Sequence, residues 1–373
     1  MKMTDQEYLD QYRIKSEDDI LTPRLVYYPE IIYQNIENAI KTAGGAERLW
    51  PHVKSHKTRE IVLMQMHLGI ERFKCATLAE ADMVAKCGAQ HILLAYPLVG
   101  PNIDMLINLA EEYPDTTFYA LEDDLGMLKR LDEACARRQA TMNWLCDVNT
   151  GMNRTGVETE KLSTFVQAAQ AFTHARFMGL HCYDGQNHQP SLAERKSAVD
   201  AIMPPVERVE RELEKGGVAV PIVISGGSPT FSCQAERKGQ YLSPGTVFVW
   251  DWGYNAKFDD LPFCPAGVVL TRVVSHPADG VFTLDAGSKA LSPDTPERGY
   301  LLGAEGAKPL LQNEEHWVFS MPKGHEDERP PIGKVMYVVP WHICPTSALY
   351  DRILTVRDHE PGEYWTVAAR NRF

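Results

Sequence analysis

The chain has no Cys-x-x-Cys pair, no basic stripe, no low-complexity tract and no apolar run long enough to cross a bilayer. Each absence excludes something. Its eight cysteines (75, 87, 135, 146, 182, 233, 264 and 344) are scattered, which points to reduced thiols in a cytoplasmic protein, most of them filling the core. Lys and Arg total 38 against 50 Asp and Glu, a net charge of −12, so nucleic acid is not expected as a partner, because phosphate contacts need clustered cations. A small ligand is expected instead. The lack of a long apolar run argues against a membrane span. The opening segment, MKMTDQEYLDQYRIKSEDD, is polar and acidic, unlike a secretory or transit sequence.

What is present is ordinary globular composition, 44% hydrophobic and 24% charged over 373 residues. Single cores rarely grow past roughly 250–300 residues, so one large domain and a smaller one are expected. Short apolar runs at 24–28, 49–54, 72–76, 91–96, 117–121, 142–148, 177–182 and 222–225 alternate with longer segments of helical period. The segment 58–68 places Ile61, Leu63, Met64 and Leu68 at helical spacing before Gly69, and 79–86 behaves alike before Gly88. Pro204 and Pro205 predict a break, with a second helix running to 214 ahead of Gly216 and Gly217. Eight such units predict a parallel (β/α)8 barrel over residues 20–240, a doubly wound sheet being the alternative. Strand-like runs at 247–250, 267–274, 281–284, 317–320, 335–339, 353–356 and 365–368 predict a β-rich domain over 241–373, with residues 1–19 packed on it.

In barrels the chemistry sits just beyond the strands, and four such places carry reactive residues. In Pro51-His52-Val53-Lys54-Ser55-His56-Lys57-Thr58 a strand ends in a lysine beside two histidines and a second lysine. Neighbouring positive charge favours the neutral amine, the form that attacks a carbonyl, although a strand-end lysine by itself is more often merely solvated. His56 is a candidate proton relay, or a residue that only orients Lys54. In the segment from Asp147 to Gly156, Gly151 and Gly156 bracket Arg154, whose guanidinium could meet a phenolate or carboxylate. The run Ile224-Ser225-Gly226-Gly227-Ser228-Pro229 fits a helix start with Ser228 as its cap and bare amides for a phosphate, or equally a plain structural turn. In Pro340-Trp341-His342-Ile343-Cys344 an extended backbone would point His342 and Cys344 the same way, as two ligands of one ion or as a buried cysteine beside a strand histidine.

The string around Lys54 is similar to the signature around the pyridoxal 5′-phosphate (PLP) lysine of D-threonine aldolases and the related metal-dependent D-serine dehydratases. Segments at 179–185, 284–289 and 313–316 extend the resemblance over nearly the whole chain. It implies a PLP-binding TIM-type barrel with a C-terminal β-rich domain, the alanine-racemase-like fold type III. Lys54 would anchor PLP and Arg154 would lie beside its ring, with Tyr183 in contact. Ser225, Gly226, Gly227 and Ser228, together with Gly245 and Thr246 of the Pro-Gly-Thr turn, would surround the phosphate. Ser243 stands where many barrel relatives place an arginine toward the pyridine nitrogen. His342 and Cys344 would hold a divalent metal, the soft thiolate favouring zinc and leaving manganese open. The implied reaction is cleavage of D-3-hydroxy amino acids, D-threonine giving glycine and acetaldehyde. Dehydration of D-serine or D-threo-3-hydroxyaspartate is the alternative. A non-catalytic PLP-binding protein is a lesser one, since such proteins lack a long β domain. Alanine racemization fits less well, because Thr58 stands where racemases have tyrosine and their second catalytic tyrosine has no counterpart. By analogy the resemblance implies a homodimer.

Overall fold

A computed structural model describes residues 3–372. The chain forms two units: one built from Glu37–Lys54 and Ile61–Gly245, the other from the N-terminal stretch through Ile36, Ser55–Glu60 and Thr246–Arg370.

The first unit is a ring of parallel strands. Arg72–Cys75, His91–Pro97, Thr117–Glu122, Met142–Asn149, Ala175–Cys182, Ile222–Ser225 and Tyr241–Leu242 pair in that order. Residues 49–52 close it, because Trp50 donates its amide to Leu242 on one side while Pro51 accepts from Lys74 on the other. Most strand positions are buried on both faces, as parallel strands under a helical cover must be. Trp50 fills the interior. Its ring meets Tyr119 and Tyr241 edge-on at 5.4 and 5.5 Å, and its indole N–H donates to the Phe73 carbonyl at 2.6 Å. The covering helices bury one stripe each; Leu125–Arg137 turns Leu128, Leu131, Ala134 and Cys135 inward and is capped by Asp124, which accepts from the Met127 amide.

Two predicted features of this unit differ. The run at 24–28 is not a barrel strand; Arg24–Tyr27 lies in the sheet of the other unit, and Tyr241–Leu242 completes the eight. A four-residue apolar run reads the same in either sheet, and only its partner distinguishes them. The prolines at 204 and 205 do not break the helix Leu192–Lys215. Pro204 is exposed, and the carbonyls at 200 and 201 that lose their amide partners belong to exposed residues, where water can satisfy them.

In the second unit Arg24–Tyr27 runs antiparallel to Gly267–Ala278 and parallel to Arg352–Arg357. Val281–Leu284, Trp317–Ser320 and Lys308–Gln312 extend the sheet one way and Glu360–Thr366 the other, while Val335–Pro340 joins Gly267–Ala278 to Gly299–Leu302. Tyr8, Tyr12 and Ile14 of the N-terminal segment pack in its core with Val26, Val268, Leu270 and Val339. The strands 299–302 and 308–312 escaped the sequence pattern because they are short, and the second is largely exposed. Conversely, 247–250 is not a strand but follows a 3-10 turn, Thr246–Phe248.

Candidate active site

Beyond the carboxyl ends of the parallel strands, three cations gather round one ring. The Arg154 guanidinium lies 4.9 Å from the centre of the Tyr183 ring, the Lys74 amine 5.6 Å and the Lys54 amine 5.9 Å. Local structure explains each placement. Lys54 sits on the 3-10 turn Val53–Ser55 that follows the closing strand segment. Arg154 is carried by a loop folded on the Asn149 carboxamide, which accepts from the amides of Gly151 and Asn153 at 3.0 and 3.1 Å. The loop ends at Gly156, whose φ is +104° and where a Cβ would fall 2.6 Å from the Asn149 nitrogen, so no other residue fits.

Beneath the ring, strand register sets Asp147 beside His181. The His181 Nδ1 lies 2.8 Å from the Asp147 carboxylate and its Nε2 lies 3.4 Å from the Lys74 amine. Thr155 donates to the second Asp147 oxygen at 2.6 Å. Burial, followed by the charge of Lys54, pushes Lys74 down to about 7. Burial and the charge of Lys74 likewise lower His181, whereas burial of Asp147 is overcome by His181, Thr155 and Arg154 together, which keep it low.

The glycine loop is held from below. Buried Asp184 accepts from Thr230 at 2.7 Å and Gln234 at 2.9 Å, while the Thr230 hydroxyl accepts the Gly227 amide at 3.1 Å. Ser225 donates to Gln240 at 2.8 Å, Gly226 has φ +80°, and the Gly245 amide donates to Ser228 at 3.2 Å. Ser228 is not a helix cap, in contrast to its predicted role; the helix is the short Phe231–Ala235 and begins after Thr230. Gly227 backs directly onto Tyr183, with the site of a Cβ 3.0 Å from the ring. The Ser243 hydroxyl is buried with no hydrogen-bond partner in the protein, the condition of a group whose partner is a ligand. Converging cations, an aromatic face and this hydroxyl fit an anionic, ring-shaped cofactor such as PLP.

In the strand-rich unit His342 and Cys344 also meet, but not by strand alternation. Val335–Pro340 ends first; His342 keeps an extended backbone and Cys344 falls in the helix Ile343–Ser347. Each favours the charged form of the other. His342 Nδ1 lies 2.5 Å from Asp294, and Asp251 accepts the Ile343 amide at 3.2 Å. Although burial opposes it, Cys344, then Asp251 and Asp294, raise His342 to about 10, and His342 in turn lowers the Cys344 thiol against its own burial. Thr246 lies 3.4 Å from the Cys344 sulfur. Among the described residues no three His, Cys, Asp or Glu side chains form a ligand group. A thiolate with an imidazole oriented by a carboxylate is nevertheless the donor chemistry of a catalytic ion that keeps open positions.

His56 is fully buried. Its Nδ1 lies 3.2 Å from both the amide and the hydroxyl of Thr58, its Nε2 has no hydrogen-bond partner, and burial, then Lys57, push it down to about 3. Sequence reasoning passed over Lys74, Asp294 and the pairing of His181 with Asp147. Lys74 had a signal, a lysine inside the apolar run at 72–76. Asp294 had none, because it lies 48 residues from its partner His342.

A closed parallel ring with its reactive residues beyond the strand ends, joined to a strand-rich unit, defines an alanine-racemase-like fold. The chain belongs to the family of the alanine racemase N-terminal domain, whose model matches residues 29–250, and residues 266–356 match a putative serine dehydratase domain. It is 29% identical to a D-threonine aldolase of Arthrobacter sp over 86% of this chain and 85% of that one. It is 26% identical to a 3-hydroxy-D-aspartate aldolase of Paracoccus denitrificans over 95% and 94%. The crystal structure of D-threonine aldolase from Filomicrobium marinum superposes with a TM-score of 0.86 at 27% identity, covering 95% of this chain and 97% of that one.

Proposed function

We propose that this chain is a PLP- and divalent-metal-dependent lyase that cleaves D-3-hydroxy amino acids, with D-threonine giving glycine and acetaldehyde. The observation that carries the reading is the gathering of Lys54, Lys74 and Arg154 round Tyr183, and the same unit holds a buried, unpartnered Ser243 hydroxyl. Bound PLP supplies an electron sink for the bond broken at Cα, and a bound divalent ion, zinc or manganese, acidifies the β-hydroxyl.

The protein's part is to bind and orient. Lys54 offers the amine that engages the cofactor carbonyl. Arg154, fixed by the Asn149-centred loop, faces negative charge developing beside Tyr183. Ser225, Gly226, Gly227, Ser228, Gly245 and Thr246 present amides and small hydroxyls suited to a phosphate. Ser243 offers a hydroxyl, which cannot hold a pyridine nitrogen protonated as a carboxylate would. His342 and Cys344 would hold the ion, with Asp294 fixing the imidazole. His56, neutral and accepting the Thr58 amide at Nδ1, carries its proton at Nε2, a form that can orient neighbouring groups but is poorly suited to taking the hydroxyl proton.

The match to a putative serine dehydratase domain favours a second reading, loss of the β-hydroxyl to give a 2-oxo acid and ammonia. Incubation with D-threonine decides between them: glycine and acetaldehyde support cleavage, whereas 2-oxobutanoate and ammonia support dehydration. Neither product, in protein loaded with PLP and metal, would reject both. The same reading includes a homodimer. Among the described residues no helix is long and apolar enough to cross a membrane.

A further inference from the structure

Lys74 is the buried amine of the cluster to which the reaction just described assigns no separate role. Its side chain is almost completely inaccessible, yet it ends beside Tyr183 rather than in a carboxylate pair. The titratable groups around it are Lys54 from the 3-10 turn, Asp147 from its strand, Arg154 from the loop beyond, His181, Tyr183 and Asp184 from the strand end at 181–184, and buried His52 from the closing segment, the residue bridged to Lys74. Two of these are cations, two are carboxylates, and only His181 lies within 3.5 Å of its amine among the contacts described. Such a lysine is balanced between charge states. A chain of contacts, Asp147 to His181 at 2.8 Å and His181 to Lys74 at 3.4 Å, links it to a carboxylate that can stabilise the added proton.

We infer that Lys74 is a positioning residue that switches charge through the Asp147–His181–Lys74 chain and thereby sets how strongly the barrel site holds an anionic ligand. When protonated it adds a positive charge to that of Arg154 beside Tyr183; when neutral it does not. Burial and Lys54 put the transition near neutrality, at about 7. The sign follows: affinity for an anion falls as pH rises through that transition. By linkage, a ligand that raises the Lys74 pKa by one unit binds about tenfold more tightly below the transition than above it. The choice of PLP as the anion rests on the proposed function, but the charge switch does not.

Two measurements test this. Nitrogen-15 NMR of lysine side chains in the cofactor-free protein, with the Lys74 signal assigned by its loss in Lys74→Met, should show Lys74 titrating between about pH 6 and 8. Titration above pH 9 would overturn the switch. In the second, PLP affinity is measured across pH for the wild type, Lys74→Met and Lys74→Arg. The wild type should show an inflection of about tenfold near neutrality. Both variants should lose it, the Met variant binding weakly and the Arg variant tightly at every pH. An inflection that survives in both variants would also overturn the inference. Absence of PLP binding by the wild type would refute the proposed cofactor while the NMR titration still decides the switch.

Discussion

The Cys344 thiol lies 3.2 Å from the hydroxyl of Ser55, the residue that follows Lys54 in the chain. Ser55 and His342 both favour the thiolate, the form that binds metal. Chelation, or replacement of His342 or Cys344 by alanine, should therefore lower D-threonine cleavage by about 100-fold or more while the absorbance of lysine-bound PLP persists. Full activity in chelated, metal-free protein would disprove a catalytic ion. Loss of PLP together with the metal would disprove the division of labour.

Asp294 should act through His342. Its carboxylate, 2.5 Å from Nδ1, leaves Nε2 as the ligand nitrogen and fixes the ring. Asp294→Ala should weaken metal binding about 10–100-fold, measured by competition with a chromogenic chelator, and saturating metal should restore most of the activity. Unchanged metal affinity would remove Asp294 from the site.

Lys54→Ala should abolish both the absorbance of lysine-bound PLP and the adduct fixed by borohydride. Peptide mapping of the wild-type adduct provides the second check. A pyridoxyl group on Lys74 instead of Lys54 would reassign the anchor.

Gly227→Val should cost cofactor affinity more than fold. A Cβ there falls 3.0 Å from the Tyr183 ring, and a branched side chain would push the ring away from its three cations. PLP affinity should fall about tenfold or more, with the far-ultraviolet dichroism unchanged. Wild-type affinity would exclude this loop from the site.

His56 gives stability a definite pH dependence. Its unfolded value is near 6.5 and burial, then Lys57, lower the folded value to about 3, so the unfolded chain takes up the proton first. Above pH 6.5 both states are neutral and nothing is lost. As pH falls from 6.5 toward 3, stability should decline by up to about 1.4 kcal/mol per pH unit from this residue. Urea unfolding of His56→Gln should show an acid slope smaller by one proton in that window; an unchanged slope would mean that the imidazole is hydrated in the folded state.

The sequence by itself determined which chemistry is available and roughly where. A parallel barrel was legible because strands buried on both faces must be largely apolar, and the runs from 49 to 225 are, with a few polar residues such as Lys74, Asp147 and His181 among them. Lys54, Arg154, the glycine loop, His342 and Cys344 could be singled out because each lies beside a strand end with an unusual neighbour. Three things were left to tertiary structure. The strand at 24–27 was assigned to the wrong sheet, since its pairing with Val268 and Leu354 spans more than 200 residues and leaves no local trace. His342 and Cys344 converge through a helical turn rather than strand alternation, because the chain leaves the sheet at Pro340, two residues before His342. Lys74 stood out only as a lysine inside a short run, and folding alone gave it His181 and Tyr183, with Lys54 and Arg154 round the same ring. Local pattern reports which way a side chain tends to point; what it meets there, and so its charge, depends on segments that folding alone brings together.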